Sequence, residues 1–177
     1  MIAVDGTFIN YLGIMLALAK RNKKMSVYYA KDVEMDFSRF GSILPFEEDD
    51  VVRFLSLSDQ IELSFVDFFK KNNGIDLCLM YKDDYALADI SSLQSIPITW
   101  ERNKSKFKHM ENYVLISYGP TYHEEFYYKI RGGQARSVFL LDNSKEVHFD
   151  DENFEGEGVT HLTSSFDDFV KNLYYED

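Results

Sequence analysis

Beyond Gly74 the chain breaks into short runs of strand-forming residues, namely Leu77 to Tyr81, Ile96 to Trp100, Tyr113 to Tyr118, Glu125 to Ile130, Ser137 to Leu141 and Glu146 to Phe149. Gly119-Pro120, Gly132-Gly133 and Asp142-Asn143 separate several of them with turn chemistry. Parallel neighbours need a crossover connection, usually a helix, and no long helical pattern separates these runs. The spacing therefore predicts a mainly antiparallel sheet of about six strands. The 15 Phe and 12 Tyr supply the large flat side chains such a sheet buries.

Helical patterns flank this region. An acidic first turn, Glu47 to Asp50, precedes Val51, Val52, Phe54 and Leu55, predicting a helix near 47–57. A second covers 62–72, with Phe65, Phe68 and Phe69 on one face and Asn73-Gly74 as its stop. A third covers 165–174, with Ser165 as its cap. Ser64 to Lys70 and Ser165 to Lys171 both read S-F-x-D-F-x-K. Only a tail is expected after the second copy, so the pair predicts two helices covering one sheet face rather than a tandem repeat.

Residues 1–45 form an expected strand-helix-strand extension and connector, and 46–177 an α+β domain. Thr7 suits a helix N-cap, Phe8, Tyr11, Leu12, Met15 and Leu18 recur at helical spacing, and Lys20 to Lys24 suit its end. Met25 to Ala30 reads as a strand, and Lys31 to Pro45 as a connector.

A net charge of −11 disfavours direct contact with nucleic acid or an anionic membrane and favours a basic partner. Cys78 is the only cysteine, which excludes an intrachain disulfide; among Leu77, Leu79 and Met80 it reads as a buried strand thiol. The apolar run from Tyr11 to Ala19 is about half the ~20 residues of a membrane span. Asp5 precedes that run and the cations follow it, the reverse of a secretory signal, so a cytoplasmic location is expected.

Asp5-Gly6-Thr7 matches part of the aspartate-x-aspartate-glycine-threonine motif of haloacid-dehalogenase-type phosphatases, but Ala3 stands where the nucleophile would be. His109, His123, His148 and His161 form no metal-ligand motif, although His123 with Glu124 and Glu125, or His148 with Asp150 and Asp151, are acceptable ligand types. No catalytic residue, cofactor or metal is expected. Arg102 to Lys108 is a basic stretch read as a solvated loop, and Asp150 to Glu157 is the densest acidic segment.

Three segments, in this order, resemble the SUKH superfamily of bacterial toxin-immunity proteins and fungal cell-wall-assembly regulators. Glu62 to Gly74 looks like the family's second helix with its asparagine-glycine end, Tyr113 to Gly119 like the central strand and glycine turn, and Thr163 to Phe169 like the closing helix. The likeness spans about residues 47–173. It implies a non-catalytic domain that binds a protein partner, with a basic nuclease toxin as the expected one. Asp150, Asp151, Glu152, Glu155 and Glu157 would supply the acidic surface, and Tyr118, Tyr122, Tyr127 and Tyr128 rigid anchors. Two other readings stay open: a small-ligand binder or enzyme with a site near Asp5 and Thr7, and a regulatory scaffold.

Overall fold

The computed structural model describes residues 26–82, 84–105, 108–121, 123–150 and 153–177, so the expected strand and helix before Met25, with Asp5 and Thr7, lie outside the described residues. The elements run β1 (Val27–Tyr29), α1 (Glu48–Leu55), α2 (Leu63–Lys71), β2 (Asp76–Tyr81), β3 (Tyr85–Ile90), α3 (Ser95–Asn103), β4 (Tyr113–Tyr118) and β5 (Glu124–Lys129). They continue with β6 (Val138–Asp142), β7 (His148–Asp150), β8 (Asn153–Glu155), β9 (Val159–Thr163), α4 (Phe166–Lys171) and β10 (Leu173–Glu176). Among the described residues the fold is α+β, with one curled eight-stranded sheet ordered β1-β10-β2-β3-β4-β5-β6-β9 and a separate β7–β8 ribbon. Among the described residues every pairing is antiparallel, and the β2–β3, β4–β5, β5–β6 and β7–β8 pairs are joined by short connections.

The helices lie close to their expected spans, and the two S-F-x-D-F-x-K segments meet on one sheet face. The Phe65 ring lies 4.5 Å from both Phe166 and Tyr128, 4.7 Å from Phe69 and 5.1 Å from Phe54, centroid to centroid. Ser165 caps α4 by accepting a hydrogen bond from the Asp168 amide at 3.2 Å. The Glu62 carboxylate takes the neighbouring Phe166 amide at 3.0 Å and the Tyr128 hydroxyl at 3.3 Å, tying the starts of α2 and α4 to β5.

Three parts of the sequence reading need correction. Ile96 to Trp100 is helical, not a strand. Ile96, Ile98 and Trp100 alternate in a strand-like way, but Ser92 and Ser95 exchange backbone-to-hydroxyl hydrogen bonds of 2.8 and 3.1 Å at the helix start. Pro97 then falls in the first turn, where an amide proton has no intrahelical partner to lose. Ile96 turns inward and Ile98 stays 57% exposed.

The end of the chain is also no tail. After a helix shorter than expected, β10 inserts between β1 and β2, burying Leu173 and Tyr174. From the 1–45 segment expected as an extension and connector, β1 pairs with β10, and Ala30, Val33 and Phe37 join the main cluster. Lastly, Cys78 is exposed: Leu79 and Tyr81 face the main core from β2, so the pleat turns Cys78 outward.

Asn72 and Asn73, fully buried, do more than stop α2. Asn72 accepts the Phe37 amide at 2.8 Å and donates to the Met35 and Phe68 carbonyls; Asn73 accepts the Leu93 amide at 2.7 Å and donates to the Leu44 carbonyl and to Gln94. Gly74 follows at φ +58°, where a Cβ would sit 2.7 Å from Leu44 Cδ1. The two amides thus fasten the connector and the loop before α3 to the helix end.

Asn73→Ala leaves buried backbone groups unpaired and is expected to lower unfolding free energy by about 1–3 kcal/mol in urea titrations. Removing residues 173–177 exposes β1 and β2 to each other's empty side, and the truncated chain is expected to lose its cooperative thermal transition.

Candidate functional site

Strands β4, β5 and β6 are buried on both faces, which is why their sequences lack a polar stripe. Val114, Ile116, Phe126, Tyr128, Val138 and Leu140 face the helices, while Tyr113, Leu115, Tyr127, Phe139 and Leu141 face the other way into a second cluster. The β7–β8 hairpin covers that second face. Phe154 lies 4.2 Å from Tyr113, 4.4 Å from Phe149 and 5.5 Å from Tyr127, centroid to centroid. Lys129, fully buried beneath the hairpin, donates to Asn153 Oδ1 at 2.7 Å and stands over the Tyr113 ring.

Among the described residues the cover is incomplete. On one side of Phe154 a hollow of about 320 Å³ is walled by Met110, Tyr127, Leu141, Val147 and Phe149, with Lys108, Glu125, Asn143 and His148 as its polar lining. On the other side an open cleft of about 490 Å³ runs past Phe139, Val159 and His161 to Glu155 and Gly156. Tyr127 donates its hydroxyl to Glu125 at 3.1 Å; burial, reinforced by the Glu125 charge, pushes its phenol far up, so it stays a donor at any physiological pH. Tyr118 is shifted the same way, first by burial and then by Glu125.

Carboxylates gather beside these hollows. Asp142 accepts the Ser144 amide and hydroxyl at 3.0 and 2.5 Å and pairs with Lys145 at 2.9 Å, which lowers its pKa to about 2. The Asp142 hydrogen bond and charge, with smaller contributions from Glu157 and Glu124, raise the pKa of the Lys145 ammonium. Gly156, at φ +119°, lets the chain pass the Glu146 carbonyl, which a Cβ would approach to 2.3 Å. That turn leaves Glu155 and Glu157 exposed on either side of it.

Of the residues expected to meet a partner, Glu155 and Glu157 are therefore on the surface and near each other. The Asp150 backbone pairs with Asn153 at the end of β7, whereas Asp151, Glu152 and Tyr122 lie outside the described residues. Tyr118 is half-buried at the end of β4, opposite Glu125. Tyr127 and Tyr128 are corrected: at 4% and 0% exposure they belong to the two cores, because β5 is an interior strand covered on both faces. The hollow's walls went unread in the sequence. Their one local signal is Phe149 just before the acidic run and Phe154 within it.

The basic stretch Arg102 to Lys108 begins inside α3, and Lys108 reaches the hollow. Among the described residues, no group of three or more His, Cys, Asp and Glu side chains is close enough to hold a metal ion, and no helix is long and apolar enough to cross a membrane. No protein-family model, curated protein or solved structure matches this chain.

Because the Asp142 pKa is depressed when folded, its contribution to stability is present above the ordinary carboxylate range and lost as pH falls toward 2. Carboxyl-detected NMR titration is expected to find Asp142 still ionised at about pH 3, and Ser144→Ala to move its midpoint back up.

Proposed function

We propose that this chain is a non-catalytic protein-binding domain of SUKH type, an immunity protein that blocks a basic nuclease toxin. The observation that carries the reading is the concentration of carboxylates at one end of the second sheet face, where Asp142 pairs with Lys145, Glu124 stands opposite Asp142 in the β5–β6 register, and Glu155 and Glu157 are exposed nearby. With a net charge of −11 behind it, such a surface complements the positive site with which a nuclease holds phosphates. The three segments that resemble the family also lie together: α2 and α4 pack through Phe65 and Phe166 against the strand next to β4. This role suits the cytoplasm, where the exposed Cys78 would remain reduced.

The test begins with purification of the protein that the chain captures from its native host, followed by stopped-flow association. A basic partner whose nuclease activity is titrated to zero at equimolar chain is expected. Glu155→Lys combined with Glu157→Lys should slow association about tenfold at low salt, with the difference shrinking at high salt. An acidic partner, or an association rate indifferent to salt, would overturn the proposal.

A further inference from the structure

The hollow beside Phe154 has a size, a lining and a charged surround that together select an occupant. Its volume, about 320 Å³, lies at the bottom of the range of roughly 300–1,000 Å³ typical of small-molecule pockets, enough for one large side chain. Its walls include Met110, Tyr127, Phe149 and Phe154, a thioether and aromatic rings, which favour an inserted aromatic ring over an aliphatic chain. Around the mouth the balance is acidic. Glu125 lines it and Glu146 lies 3.7 Å from the His148 imidazole, while Glu155, opposite His148 in the β7–β8 register, lines the neighbouring cleft. Among the described residues, Lys108 is the one lysine in the lining, and no arginine joins it.

We infer that this hollow is an anchor pocket for a single aromatic side chain of a protein partner, presented on a segment whose neighbouring residues are Arg or Lys. The ring replaces water against the second cluster, and the flanking cations meet Glu125 and Glu146, with Glu155 next to them on the neighbouring cleft. The inference rests on the proposed recognition of a basic partner and adds the contact that fixes its register. Salt-sensitive attraction brings the surfaces together, and the buried ring then slows their separation.

Three capped peptides, Gly-Arg-Trp-Arg-Gly, Gly-Arg-Ala-Arg-Gly and Gly-Glu-Trp-Glu-Gly, titrated into the full ¹⁵N-labelled chain test this directly. The Arg-Trp-Arg peptide is expected to shift the amides of Met110, Leu141, Val147 and Phe154, with the other two peptides at least about tenfold weaker. Val147→Trp fills the hollow and should abolish the response. Glu125→Gln keeps the Tyr127 hydrogen bond, so the fold is preserved, and should weaken only the cationic peptide, by several-fold.

Shifts confined to other surfaces, equal binding of the alanine peptide, or an undiminished response in Val147→Trp would overturn the inference. Tryptamine binding more tightly than the Arg-Trp-Arg peptide would also overturn it, assigning the hollow to a small aromatic amine. If the peptides fail while a basic nuclease partner still associates in a salt-dependent way, only the pocket assignment is lost. If the peptides bind as expected but the captured partner is acidic, the immunity reading falls instead.

Discussion

The contact on which the architecture depends is the packing of Phe65. Its ring meets Phe54 from α1, Phe69 from its own helix, Phe166 from α4 and Tyr128 from β5, and it is fully buried. Four elements separated by up to about a hundred residues thereby share one apolar site, and truncating a phenylalanine in such a position typically costs about 3–5 kcal/mol. Polar bonds fix the geometry around it. Glu62 holds the start of α4 and the hydroxyl of Tyr128, while Asn72 and Asn73 bind the connector to the helix end.

Once helices cover one face, the composition of the central strands makes the opposite face a problem. Tyr113, Leu115, Tyr127, Phe139 and Leu141 would otherwise meet water. A three-residue-per-strand hairpin is too small to seal that surface, so Phe154 divides what remains into a hollow and a cleft. The same segment carries the chain's densest acidic run. An incompletely covered aromatic surface and a cluster of carboxylates are thus placed side by side by a single connection between β6 and β9.

The antiparallel class, the flanking helices and the pairing of the two S-F-x-D-F-x-K segments were legible because each is written in local periodicity and turn chemistry. Other strands were not. The β3 run, Tyr85-Ala-Leu-Ala-Asp-Ile, is poor in strand formers and owes its conformation to its neighbours β2 and β4. In β5, Tyr127 and Tyr128 look alike in sequence, but the pleat sends one ring into each core. The exposed acids Glu155 and Glu157 could be named from charge density alone, whereas the walls of the hollow come from residues as far apart as Met110 and Phe154.

By itself, then, the sequence determined an acidic α+β chain in which phenylalanine-faced helices cover an antiparallel sheet, since side-chain spacing and net charge are properties of short segments and sums. The tertiary structure alone decided that the last residues enter the sheet between β1 and β2, that Ile96 to Trp100 coils, and that a ring-sized hollow opens beside Phe154. Those outcomes depend on which hydrogen-bonding edges and apolar faces remain unfilled after the other elements have packed, and no local pattern records that remainder.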